Sequence, residues 1–215
     1  LARQQKTAEA ASYYEQAEKR YQAIGRWLGR EGSTVARISA EVYPQGSFRL
    51  GTAIKPTTEA DEYDVDLVCE LALTKDMVTQ QELKRVVGIE IGGYARANGM
   101  NEPAEEGRRC WTLNYADGAQ FHMDILPSVP NKEAVERLLK AYGHPTDWTE
   151  TAIAITDRKH PSYDRRSGDW PRSNPKGYSK WFEERMKPLL ELRRGAFAKS
   201  IGVQVEDVPF YQVRT

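Results

Sequence analysis

What this 215-residue chain has little of narrows its function first. Two cysteines, Cys69 in an apolar run and Cys110 beside Trp111, cannot make a disulfide framework, and three histidines complete no Cys/His set at zinc spacing. Cysteine usage this sparse predicts a reducing cytoplasm. No apolar run approaches the roughly 20 residues that span a bilayer, so no membrane partner is expected. Charge of either sign is not in excess: 31 Lys and Arg balance 31 Asp and Glu, leaving no whole-chain footprint for duplex nucleic acid. Repeats and low-complexity segments are absent as well, and the length suits one domain with a sizeable core.

What is present is a mixture of two periodicities. Tyr14, Ala17, Tyr21, Ile24 and Leu28 recur at steps of three and four, predicting an amphipathic N-terminal helix that ends near Gly32. Ile38, Ala40 and Val42 alternate as a half-buried strand that runs into Gln45, Gly46 and Ser47. Leu83, Val87, Ile91 and Tyr94 predict a second helix, closed around Asn98 and Gly99. "RRCWTLNYADGAQFHMDILP" alternates on both sides of Asp117-Gly118, a strong hairpin signal. A helix "NKEAVERLLKAYG", a strand "TAIAIT", a polar loop, and a helix capped by Asn174 with Pro175 at its first position follow. Strands mixed with helices, including one antiparallel pair, predict an α/β (α+β) domain with a mixed sheet flanked by helices. The chain opens on Leu1 and closes on the strand-like "VPFYQVRT", which predicts a fragment.

Chemistry concentrates in "YPQGSFRLGTAIKPTTEADEYDVDLVCEL", residues 43–71. Strand residues two apart share a face about 6.6 Å apart, so Asp64 and Asp66 point together while Val65 and Leu67 point into the core. On the second hairpin strand Phe121, Met123 and Ile125 form one face and His122, Asp124 and Leu126 the other. Three carboxylates without balancing cations resist ionisation, and a divalent metal resolves the conflict. Oxygen ligands suit Mg²⁺ or Mn²⁺, and two such ions about 3.5 to 4 Å apart serve phosphoryl transfer. A lone Asp-x-Asp is commonplace at strand ends. Its combination with Gly46-Ser47, a small turn whose backbone N–H groups can approach a phosphate, is more specific.

"QGSFRLGT", "DEYDVDLV" and "HMDILP" resemble the Gly-Ser, Asp-x-Asp and third-Asp motifs of the DNA polymerase β-like nucleotidyltransferases. The wording is most similar to the bacterial cGAS/DncV-like nucleotidyltransferases, the CD-NTases that make cyclic oligonucleotide signals in anti-phage defence. "SNPKGYSKWFEERM" and "AIAITDR" share the resemblance, and "KPTTEADE" reads as a lengthened loop beside the Gly-Ser turn. The resemblance implies a polymerase β-like core in residues 1–215 that includes an N-terminal helix of about residues 1–31, with a C-terminal helical lobe that begins near the end and is incomplete. It implies that Asp64 and Asp66 hold the metal of the donor triphosphate, that both with Asp124 hold a second ion, and that Gln45, Gly46 and Ser47 cradle phosphates. Nucleoside triphosphates are the implied substrates, ATP or GTP foremost and pyrimidine triphosphates as the alternative. The product would act on a downstream effector, a regulatory protein could bind, and no nucleic acid would be required.

Other residues carry weaker signals. Arg49 and Lys55 read as solvated charges, with phosphate contact as the alternative. His122 shares the face of Asp124, as a substrate contact or a satisfied buried histidine. His144 and His160 lie in loops without a metal-spaced partner. Trp170, Tyr178 and Trp181 read as core aromatics, with base stacking as the alternative. "DRKHPSYDRR" is a solvated loop or a seat for a phosphate. Three rival functions stay open: a template-independent RNA or tRNA-type nucleotidyltransferase, a nucleotide-binding or antitoxin-like module without turnover, and a glycosyltransferase using Asp-x-Asp.

Overall fold

The computed structural model describes residues 2–53, 63–115 and 121–208, with the side chains of 15–53, 64–115 and 121–208. Lys55 and the "KPTTEADE" loop, the Asp117-Gly118 turn, the Tyr14 side chain and the closing residues beyond Val208 lie outside the described residues.

The N-terminal stripe makes helix α1 (Ala2–Leu28), which buries Ala17, Ile24 and Leu28. Its end docks on α3 (Gln80–Ala97): the Trp27 indole N–H donates to the Glu90 carbonyl at 2.8 Å and its ring meets Tyr94 edge-on. Helix α3 starts on a capping box, Thr79 accepting from Glu82 N–H while the Glu82 carboxylate accepts from Thr79 N–H. It stops at Asn98, followed by Gly99 at positive φ, where the sequence predicted.

Among the described residues seven strands form one sheet: β1 (Glu41–Pro44), β2 (Tyr63–Glu70), β3 (Glu105–Glu106), β4 (Trp111–Tyr115), β5 (Phe121–Pro130), β6 (Ile153–Ile155) and β7 (Arg172–Ser173). The order is β1-β2-β5-β4-β3, with β6 paired to the far end of β5 and then to β7. Strands β2 and β5 run parallel and every other pair antiparallel, so the sheet is mixed, flanked by helices. Two predicted strands are shorter than expected. Ala36–Ile38 form a 3₁₀ turn and Ser39 takes a left-handed φ, which breaks the extended run until Glu41. Thr149–Thr151 likewise form a 3₁₀ turn ahead of β6.

The two faces of β2 and β5 differ. Val65, Leu67 and Cys69 with Met123 and Ile125 face α1 and α3, joining Ile24, Leu28, Leu83, Val87 and Ile91 in the main core. Each large aliphatic side chain buried there stabilises the fold by about 1.5–3 kcal/mol. On the opposite face, Val68 and Leu126 join Tyr43, Ile153 and Ile155 in a second cluster. That cluster covers only the far half of the strands. The near half carries Asp64, Asp66, His122 and Asp124.

Helix α4 (Lys132–Ala141) lies outside both clusters, while α5 (Pro175–Ile201) starts beside β1. Asn174 caps α5 through the Gly177 N–H at 2.9 Å, as predicted, and Lys176 in its first turn holds Glu41 at 2.7 Å and lies over the Tyr43 ring. No helix among the described residues is long and apolar enough to cross a membrane.

Candidate functional site

Parallel pairing of β2 with β5 sets Asp66 opposite Asp124 and Asp64 opposite His122. One carboxylate oxygen from each of Asp64, Asp66 and Asp124 falls within 4.8 Å of the others. The convergence predicted from alternation alone is therefore present, and the parallel register supplies it. Asp64 is exposed and the other two are partly buried.

The electrostatics are those of uncompensated like charge. Burial, then the negative charges of Asp64 and Asp124, push Asp66 up to about 6. Burial and Asp124 also raise Asp64, with His122 pulling the other way. Such a cluster of hard oxygens fits a divalent cation, which would relieve the desolvation and repulsion together.

Asp124 is held in place by its own neighbours. Thr112, its antiparallel partner on β4, donates its hydroxyl to Oδ1 at 2.5 Å, and the Cys110 thiol donates to Oδ2 at 3.1 Å. The thiol is pushed up to about 12, by burial first and then by the hydrogen bond to Asp124, and it stays protonated as a donor. Neither role was read from the sequence, because a two-residue loop at Asp117-Gly118 would set Thr112 opposite Met123, one residue short of its actual partner. His122 makes a 2.7 Å hydrogen bond with Asn114 Oδ1, and the Asn114 amide in turn donates to Glu102 and Glu105.

Gly46 abuts this cluster from β1. The Gln45 N–H donates to the Asp66 carbonyl at 2.8 Å, extending the β1–β2 ladder, and the chain then turns into the short helix α2 (Gly46–Leu50). Gly46 has φ +61°, and a Cβ there would lie 2.3 Å from Asp66 Oδ2. No larger residue fits without moving the carboxylate. Gln45 and Gly46 open onto a cleft of about 250 Å³, closed on its other side by Ser173, Asn174 and Tyr178 at the start of α5. Ser47 follows Gly46 in the first turn of α2.

Some weaker signals resolve differently. Arg49, expected as a solvated charge, lines the cleft with a buried Nε that has no hydrogen-bond partner. Tyr178 and Trp181, expected in the core, are 54% and 41% exposed and stack on each other at 5.6 Å. Trp170 is buried. His160 shares a hydrogen bond with Gln80, and His144 lies exposed after α4. The start of "DRKHPSYDRR" is anchored by Asp157, which binds Arg108 and Arg109 rather than the carboxylate cluster.

Residues 40–127, spanning β1 to β5 with the Gly-Ser turn and all three carboxylates, match the family described as Cyclic GMP-AMP synthase DncV-like, nucleotidyltransferase domain. These residues carry a DncV-like nucleotidyltransferase domain. Among relatives, the c-di-GMP synthase of Roseivirga ehrenbergii is 30% identical over 162 residues, which cover 75% of this chain and 36% of that protein. Cyclic dinucleotide synthase CdnG of Bradyrhizobium diazoefficiens is 32% identical over 120 residues, 52% of this chain and 25% of that protein. The structure of the Bradyrhizobium diazoefficiens CD-NTase CdnG in complex with GTP superimposes with a TM-score of 0.61 over 92% of this chain and 52% of that one, at 24% identity, which establishes a shared fold. The chain thus spans about a third or less of the curated relatives' length.

Proposed function

We infer that this chain carries the catalytic core of a cyclic dinucleotide or trinucleotide synthase, joining nucleoside triphosphates with release of pyrophosphate, in bacterial anti-phage signalling. One observation carries the reading: three carboxylates converge within 4.8 Å directly beside a glycine whose Cβ space is taken by one of them. The names of the two relatives support it, both being cyclic dinucleotide synthases.

Each residue has a role in that reading. Asp64, Asp66 and Asp124 would hold Mg²⁺ or Mn²⁺, two ions for the set. When bound, such ions neutralise charge on a transferring phosphoryl group and lower the pKa of an attacking hydroxyl. Gly46 and Ser47 bind the donor phosphates through backbone N–H groups, with the bare Gly46 backbone allowing close approach, and Gln45, whose own N–H is held by the Asp66 carbonyl, lines the same cleft with its side chain. Arg49 offers its unpaired buried Nε to the same phosphates. Thr112 and Cys110 keep both oxygens of Asp124 oriented. The exposed Tyr178 ring, on the opposite wall of the cleft, receives a base. No side chain needs to act as a nucleophile, because positioning and charge stabilisation supply most of the acceleration in phosphoryl transfer.

The test is incubation with all four nucleoside triphosphates and Mg²⁺ or Mn²⁺, without nucleic acid, followed by mass analysis. A cyclic oligonucleotide with pyrophosphate is expected. Nucleotides added only to an RNA end would instead establish the template-independent polymerase.

A further inference from the structure

A second concave surface lies on the face of the sheet turned away from the carboxylates. Thr112 pairs with Asp124, whereas its neighbour Trp111 pairs with Ile125 and packs against the main core beneath α3. Around Trp111 a cleft of about 410 Å³ opens between Gln81 and Arg85 of α3, Glu106 of β3, and Arg158 and Tyr163 beyond β6. It is larger than the cleft beside Gly46.

This cleft is built in advance. Gln81 N–H donates to the Tyr163 carbonyl at 3.0 Å, and Arg158 N–H donates to the Arg108 carbonyl at 3.0 Å, so two walls are pinned by backbone bonds. The floor is pinned as well, the Trp111 indole N–H donating to the Lys84 carbonyl at 2.8 Å. Opposite the indole stands Gly88, where a Cβ would lie 2.1 Å from a ring carbon. Glycine is disfavoured inside a helix, and here it is what lets the indole lie against the α3 backbone. Below the floor the buried Lys84 ammonium donates to the carbonyls of Gly107 and Arg108, fixing the loop that leads into β4.

The lining selects a chemistry. Arg85 is exposed and donates no hydrogen bond among the described residues. Arg158, half exposed, donates to the Glu106 carbonyl at 3.3 Å and meets the Glu106 carboxylate at 3.7 Å, leaving the rest of its guanidinium facing the cleft. Two guanidinium groups against one carboxylate disfavour a cation or an apolar peptide and favour an anion, for which the planar fork of arginine is suited to phosphate. Trp111 and Tyr163 add aromatic surface for a flat ring, and Gln81 with Glu106 can pair with the donors and acceptors on a base edge. The volume lies in the lower part of the range for small-ligand sites, the size of one nucleotide rather than a ring of two.

We propose that this cleft is a second nucleotide site that takes a purine nucleoside monophosphate without a metal ion, its phosphate on Arg85 and Arg158 and its base against Trp111 and Tyr163. The site is independent of the reading of the carboxylate cluster, so the two can fail separately. Calorimetry on the chain in excess chelator, with GMP, AMP, guanosine and inorganic phosphate as probes, tests it, and Trp emission gives a second readout. GMP or AMP should bind saturably. Guanosine and phosphate alone should each bind at least about tenfold more weakly. Arg85→Ala with Arg158→Ala, both at the surface, should weaken GMP binding by about tenfold or more, and Asp64→Asn with Asp66→Asn should leave it unchanged. The proposal is overturned by no saturable binding of either monophosphate, by guanosine or phosphate binding as tightly as GMP, by indifference to the arginine pair, or by loss of binding in the aspartate pair.

Discussion

Asp66, within β2, and Asp157, just past β6, are the same residue in similar straits, each drawn out of water, yet their acidities move in opposite directions. Burial alone would raise both. At Asp157 the bidentate Arg108, at 2.7 Å to each oxygen, together with Arg109 and the Lys159 N–H, overcomes burial and brings the carboxyl down to about 2. At Asp66 the neighbours are Asp64 and Asp124, and the carboxyl rises to about 6. The fold saturates one carboxylate with its own cations and leaves the other facing two more negative charges. A buried charge satisfied from within the chain serves stability. One left unsatisfied is a demand for something that the chain does not contain, and this is the physical reason for reading the cluster as a site.

Substitution separates the two most sharply. Asp64→Asn with Asp66→Asn should abolish product formation, a loss on the order of 10³-fold or more, and remove the metal dependence of nucleotide binding. Thermal stability in the absence of metal should be unchanged or raised, since like-charge repulsion goes with the carboxylates. Retained turnover in the double variant would remove the cluster from the chemistry. Asp157→Asn should do the reverse: it strips a buried acceptor from two arginines and should cost about 2–3 kcal/mol, or about 5–10 °C in Tm, with metal-dependent binding preserved in the folded fraction.

How much of this could be read from the chain depends on the range of the interaction. The Asp64–Asp66 pair and the alternation of Phe121 to Leu126 are local consequences of strand geometry, and the structure has them as expected. The same holds for α3 with its Asn98-Gly99 stop and for the Asn174 cap. What alternation could not supply was the parallel register that sets Asp66 against Asp124, or the antiparallel one that brings Thr112 and Cys110 onto Asp124. Arg49 was misjudged for the same reason: its burial comes from α5, more than a hundred residues later in the chain. Ser39 escaped notice because a left-handed φ at a serine has no sequence marker as strong as glycine.

A smaller effect should come from the groups that orient Asp124. Thr112→Val keeps shape and removes the hydroxyl donor, and it should weaken metal-dependent activity by about tenfold, while Thr112→Ser restores it. The comparison of interest is the apparent Mg²⁺ affinity, which a purely structural role would leave alone. Equal behaviour of the Val and Ser variants would show that the hydroxyl does not matter.

The smallest effect is a pH dependence of opposite sign at the two aspartates. Asp157 has a folded pKa below its unfolded one, so its contribution is present above about pH 4 and is lost as pH falls toward 2. Asp66 has a folded pKa raised to about 6, so the folded state holds its proton more tightly than the unfolded chain does. Its contribution is therefore full below about pH 4 and lost as pH rises through 6. Because the group is partly exposed, solvent screening leaves on the order of 1 kcal/mol, or about 2–4 °C in Tm. In chelator, then, the chain should melt a few degrees lower at about pH 7.5 than at about pH 5, and Asp64→Asn with Asp66→Asn should flatten that slope. Mg²⁺ competes with the proton for the same oxygens, so it should raise Tm at the higher pH and do little at the lower. An equal shift by Mg²⁺ at both pH values, or a shift that survives in the double variant, would place the ion somewhere other than this cluster.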